Sequence, residues 1–169
     1  MTHPLHDATI PAFTRSLKAL YACLDKAQAH ADSLKCDIGN ILGSRLALDM
    51  FPLGRQIQIS CDFAKSISSR MAGLEVPSYD DNEVTLADFR ARIDKTIAYI
   101  NTITPGQFEG SETRAILIPM RDGTQREYVG APYLHHMGLP NFYFHLTSCY
   151  AVLRHNGVQV GKKDFIGSV

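Results

Sequence analysis

Four stretches of this chain place apolar residues at steps of three and four, a repeat that a helix satisfies by turning them all to one side. Ile10, Phe13, Leu17, Leu20, Tyr21, Leu24, Ala27 and Ala31 form the first stripe. Leu53, Ile57, Ser60, Ala64, Ile67 and Met71 form the second. Pro52 suits the first turn of that helix, where a missing N–H costs nothing, and Gly73 suits its stop. Leu86, Phe89, Ile93, Ile97 and Ile100 form the third, introduced by Thr85 and Asp88 at the spacing of a capping box. The fourth opens at Pro140, runs through NFYFHLTSCYAVLRH and stops at Asn156-Gly157. A helix with one apolar stripe must bury it against another element. The pattern therefore predicts an all-α fold, a bundle of four long helices with short connections.

Between the third and fourth helices the period changes. TRAILIPM and QREYV flank Asp122-Gly123, a hairpin signal, and predict a small β-hairpin insertion over residues 113–129. Two strands cannot form a sheet core of their own. The apolar run Ala115-Ile116-Leu117-Ile118 is therefore expected to lie on the bundle or on a partner. Ile38, Ile41, Leu42 and Leu46 mark a shorter helical patch, and LEVPSYDDNEV reads as a loop. In the tail VQVGKKDFIG the apolar residues follow no helical period, yet a free tail would not need them. They are expected to pack back on the bundle, with Phe165 filling a gap between helices. No repeat or linker interrupts the chain, so residues 1–169 are read as a single domain, long enough for a real core.

The 17 Lys and Arg balance the 17 Asp and Glu, which argues against a nucleic-acid partner. No apolar run approaches the roughly 20 residues that span a bilayer, and the opening MTHPLHDATIPAF lacks the parts of a signal peptide. No membrane association and a cytoplasmic place are expected. Cys23, Cys36, Cys61 and Cys149 form no C-x-x-C pair, so they read as free thiols rather than a zinc knuckle or redox dithiol. Gly-rich phosphate loops and the G-x-S-x-G elbow are both missing, which removes nucleotide-dependent and serine-hydrolase readings.

At about 100° per residue, Phe142, His145, Cys149 and Val152 share one face of the fourth helix, so His145 points inward. On the second helix Gln56 lies at the edge of the inward stripe, while Gln58 and Asp62 project away. An interior holding His145, Cys149 and Gln56 offers the residue types of a metal or acid–base pocket. The plainer expectation is that His145 is structural, hydrogen-bonded to a polar side chain of the second helix or to water. Cys149 is then a small hydrophobe. His135-His136 read as a solvated loop, and His155 as a complement to its helix dipole. Arg45 and Arg154 are expected to bind an anion or to pair with Asp49 or Asp62.

PNFYFHLTSCYAVLRHNGVQVGKKDFIG, together with RLALDMFPLGRQIQISCDFAK and RMAGLEVP, resembles the uncharacterised-function branch of the DinB/YfiT-like four-helix-bundle superfamily, over residues 17–167. The resemblance implies the DinB-like bundle. In the better understood members it also implies a divalent metal held by three histidines, one from the second helix and two from an H-x-x-x-H turn on the last. Several of those members transfer or isomerise substrates with thiols such as bacillithiol, mycothiol or glutathione. By position, His145 matches the first histidine of the last-helix turn, and Cys149 stands where the second would be. No histidine lies between Arg45 and Arg70, which leaves Gln56 as the nearest inward polar residue. The expectation is a DinB-like bundle with a degenerate metal site of His145, Cys149 and Gln56 and no cofactor. It is expected to form a homodimer and to hold a small-molecule pocket. The alternative is a metal-dependent thiol transferase or isomerase with zinc or nickel at His145. A third reading makes the chain a module whose hairpin docks a partner.

Overall fold

Each predicted stripe is a long helix in the structure, a computed structural model that describes residues 2–120 and 122–167. The short α1 (Pro4–Asp7) precedes α2 (Ile10–Ser33), α3 (Ile38–Leu42), α4 (Leu53–Met71) and α5 (Leu86–Ile100). Strands β1 (Ala115–Pro119) and β2 (Gln125–Val129) follow, then α6 (Gly130–Tyr133), α7 (Leu139–His155) and α8 (Lys162–Ile166). Helix α4 packs on α5 and α7, and α2 packs on the same two, so α2 and α4 face each other across the core. Phe13 and Phe142 meet there with ring centroids 4.4 Å apart, among fully enclosed Leu17, Leu24, Ile57, Ile67 and Ile93. This is the predicted four-helix bundle with a two-stranded insertion. Among the described residues, no helix is long and apolar enough to cross a membrane.

The helix ends follow from local chemistry. Thr85 accepts the Asp88 N–H at 3.2 Å, and Asp88 accepts the Thr85 N–H at 2.8 Å, which completes the capping box of α5. Pro52 is the extended residue before α4 rather than part of its first turn. The largest departure concerns α7. Helical backbone begins at Gly130 and passes through a π-helical turn, Leu134–Gly138, before α7 proper. Pro140 has no N–H for the carbonyl four residues back, and its ring crowds that carbonyl. The helix widens there instead of starting there.

In the hairpin, Ala115 pairs with Val129 and Pro119 with Gln125. The turn closes through the Gly123 N–H to the Met120 carbonyl, with Gly123 at φ +82°, a conformation glycine adopts at little cost. Ile116 is buried on the bundle and Ile118 half-buried, while Leu117 faces outward. The exit from β2 needs Gly130, because a Cβ there would sit 1.7 Å from the Ser111 carbonyl oxygen.

The tail does pack back: Val158 and Val160 are enclosed. Its last part nevertheless forms a short helix, α8, whose entry is fixed by the Gly161 N–H donating to Asp164 at 2.8 Å. Lys26 on α2 holds the same carboxylate at 2.7 Å. Phe165 is half-buried against Tyr150, edge to face at 5.6 Å, over a hollow lined by Leu20, Cys23, Leu146 and Leu153. Replacing Phe165 with Ala should cost about 2 kcal/mol, below the roughly 3–5 kcal/mol of a fully buried ring. Thermal or urea unfolding measures it, and an unchanged midpoint would mean that the tail contributes no packing.

Candidate functional site

The α4–α7 seam holds a polar pair within apolar surroundings. Gln56 is enclosed, and its amide nitrogen donates to the Phe51 carbonyl at 3.3 Å. A carbonyl can only accept, so that contact fixes which end of the amide is which. The other end, Oε1, lies 2.7 Å from Nδ1 of His145. Nδ1 must therefore carry the proton, and the neutral ring presents its lone pair at Nε2. The imidazole is stacked on Phe63 at 5.6 Å and 17°, and Phe144 meets it edge-on at 5.2 Å. Burial lowers the His145 pKa, and the charge of Arg55 lowers it further. The ring is held neutral, donating through Nδ1 to Gln56 and keeping Nε2 as an acceptor.

Cys149 lies one turn further along α7 and is fully buried. Burial pushes its thiol well above the ordinary cysteine range, a shift that a hydrogen bond with Ser60 only partly offsets. Cys61 is likewise pushed up to about 12 by burial, and Cys23 to about 11. All four cysteines are free thiols, as their spacing predicted. The structure thus brings His145 and Gln56 together and leaves Cys149 in the core with its proton. A zinc or nickel centre needs deprotonated thiolates, neutral imidazoles or carboxylates. This seam supplies one imidazole, an amide engaged at both ends and a protonated thiol. Among the described residues, no group of three or more His, Cys, Asp or Glu side chains converges. The donor set does not fit the three-ligand metal centre that the resemblance implies.

A second polar cluster was not expected. Gln58 and Asp62 were expected to project away from the inward stripe; in the structure Gln58 is covered by the loop between α4 and α5, and Asp62 is half-buried between helix residues. Gln58 is buried and donates to Glu83 at 2.8 Å. Asp62 meets Arg92 at 2.8 Å and Lys65 at 3.1 Å. Arg92, on α5, has a side chain only 1% exposed and also holds Asp81 at 3.0 Å, Glu83 at 2.8 Å and the Asp80 carbonyl at 3.0 Å. Burial opposes its charge, but Glu83 and Asp62 outweigh burial and raise its pKa. Arg55 binds both Asp81 at 2.5 Å and Gln58 at 2.9 Å. Helical angles place Arg92 beside the apolar stripe of α5 rather than within it, so its burial, which requires nearby carboxylates, was not readable from the period.

The family model described as "Domain of unknown function (DUF1993)" matches residues 5–166. The chain belongs to the DUF1993 family. It is also similar to a crystal structure of a DinB family member protein from Shewanella denitrificans, 41% identical, covering 98% of this chain and 93% of that one at a TM-score of 0.91. No curated protein matches it. The DUF1993 match and the DinB likeness bear out the family resemblance and the bundle.

The remaining candidates of this DUF1993 chain lie apart from the seam. His135 and His136 are exposed on the π-helical turn, and His155 is exposed in the last turn of α7. Arg154 donates to the Val160 carbonyl at 2.8 Å, and Arg45 to the Met50 carbonyl. Both guanidinium groups close backbone turns, and Asp62 is engaged elsewhere, by Arg92 and Lys65. A pH prediction follows for His145. Its folded pKa lies below the ordinary 6.5, so the unfolded chain takes up the proton first. Its contribution to stability is present above pH 6.5 or so and is lost as pH falls through the lowered folded value. Unfolding midpoints of wild type and His145→Gln should diverge above that window and converge below it. Parallel curves would contradict a depressed pKa.

Proposed function

We propose that this DinB-like chain is a small-molecule binding protein of the cytoplasm that works as a homodimer. In it, His145 and Gln56 keep the place of the superfamily's metal site without holding a metal tightly. The observation that carries the reading is the hydrogen bond from Nδ1 of His145 to Gln56, which turns a neutral Nε2 lone pair outward from the amide. A ligand O–H or N–H can donate to that nitrogen, and Phe63 and Phe144 offer aromatic surface to an apolar portion. No catalytic step is assigned to the pair, and no cofactor is required for this binding. Metal analysis of untagged protein after dialysis, followed by zinc and nickel titration of wild type and His145→Ala, tests it. The expected result is substoichiometric metal and weak titration. Stoichiometric metal that survives dialysis and disappears in His145→Ala would favour a metal-dependent thiol transferase instead.

The dimer is supported by exposed apolar side chains close in sequence to the seam residues. Leu48 is 99% exposed and Phe51 52% exposed on the segment before α4, and Phe144 beside His145 is 57% exposed. Exposed apolar side chains of this size favour a covering partner, and zero net charge does not oppose association. The hairpin adds less, because Ile116 is already covered by the chain's own bundle. Light scattering at micromolar concentration should give twice the monomer mass, and the monomer mass would remove the dimer from the proposal.

A further inference from the structure

Residues 79–83 form an acidic strap across α4 and α5, and the contacts that tie it down are polar. Asp81 bridges Arg55 and Arg92, and Glu83 bridges Arg92 and Gln58. The Tyr79 ring lies 3.9 Å from Lys65 Nζ, 4.1 Å from Lys95 Nζ and 5.5 Å from the Arg92 guanidinium. Beneath the strap, α4 gives Arg55 and Lys65 and α5 gives Arg92 and Lys95. Asp62 is the bundle carboxylate paired with this group. Four cations stand against Asp62 beneath the strap and Asp88 at the edge of the groove; of the strap's acids, Asp81 and Glu83 are paired through their carboxylates, and Asp80 is held through its backbone carbonyl.

Two further observations point to a ligand. Among the described residues, Nε of Arg92 has no hydrogen-bond partner although its side chain is 1% exposed, so this guanidinium keeps one donor in reserve. Beside it, a groove of about 460 Å³ opens between the strap and α5, lined by Tyr79, Asp80, Glu83, Asp88, Arg92 and Lys95. Asp88 is committed to the cap of α5. A guanidinium fork binds carboxylate and phosphate oxygens with the same geometry. We propose that this face is a binding site for a multiply charged oxyanion, bearing phosphate or several carboxylates, and that the strap's own carboxylates occupy it as a tethered competitor.

A tethered competitor lowers apparent affinity by the fraction of time the site is free. Weakening the strap should therefore strengthen binding of an external anion. Calorimetry of the full chain with inorganic pyrophosphate and with citrate compares wild type with the double variant Asp81→Asn, Glu83→Gln. At least one anion should bind the double variant about tenfold tighter, and adding Lys95→Gln should remove most of that gain. Which anion gains tells phosphate from carboxylate chemistry. Equal affinity in wild type and double variant, or a gain that ignores Lys95→Gln, would overturn the proposal. Should the double variant fail to fold, wild type decides by digestion with a glutamyl endopeptidase. The better of the two anions should speed cleavage at Glu83 severalfold beyond sodium chloride at matched ionic strength, and no such excess would overturn the site.

Discussion

Helix α4 is enclosed on nearly every side, yet it is not an apolar helix. Its buried residues include Gln56, Gln58, Ser60, Lys65, Ser68 and Ser69. A polar group taken out of water without a partner costs a few kcal/mol, and a charge costs more. The surroundings of α4 are arranged to meet that demand. Gln56 is met by His145 from α7, and Gln58 by Glu83 from the strap. Lys65 is met by Asp62 and the face of Tyr79, and Ser69 by the Tyr99 hydroxyl. The Ser60 hydroxyl donates to the Gln56 backbone carbonyl one turn back. Ser68 is the exception, buried with no partner for its hydroxyl among the described residues.

These partnerships join the two polar clusters. Arg55 stands between them: it binds Gln58 and Asp81 on the strap side, and its charge lowers the His145 pKa on the other. The carboxylate of Asp81 is held below its usual range; burial works against this, and the hydrogen bond and charge of Arg55 outweigh it, with help from Arg92. His145 is thus held neutral first by burial and then by the charge of Arg55, an α4 residue that the loop carboxylate Asp81 also binds. Fixed charges in a partly water-free setting act over longer distances than on an open surface.

The apolar half of the structure was legible in the sequence. Stripes such as Leu53, Ile57, Ala64, Ile67 and Met71 have a single solution, and the Thr85–Asp88 cap and Asp122-Gly123 turn are decided within a few residues. His145 and Gln56 were readable as neighbours because each sits on a computable face. Helical angles show that Gln58 and Asp62 project away from the inward stripe, but not that a loop carboxylate, Glu83, closes over Gln58 or that Arg92 of α5 meets Asp62. The strap itself has no period, and its position is dictated by Arg92, a single residue on another helix. The continuation of helix through residues 130–138 was hidden for a different reason. Pro140 is a sound starting signal locally, and only the packing of the preceding turns overrides it.

The distribution of thiols gives the chain a built-in clock. Cys23, Cys61 and Cys149 are buried, with burial holding each of them protonated, whereas Cys36 is exposed in the turn between α2 and α3. Alkylation requires a thiolate in contact with reagent. Cys36 therefore reacts at the rate of an accessible thiol and reports the strength of the reagent. The other three react only when the helices that cover them part. The spacing in time between the first modification and the next three meters how often this bundle opens under native conditions.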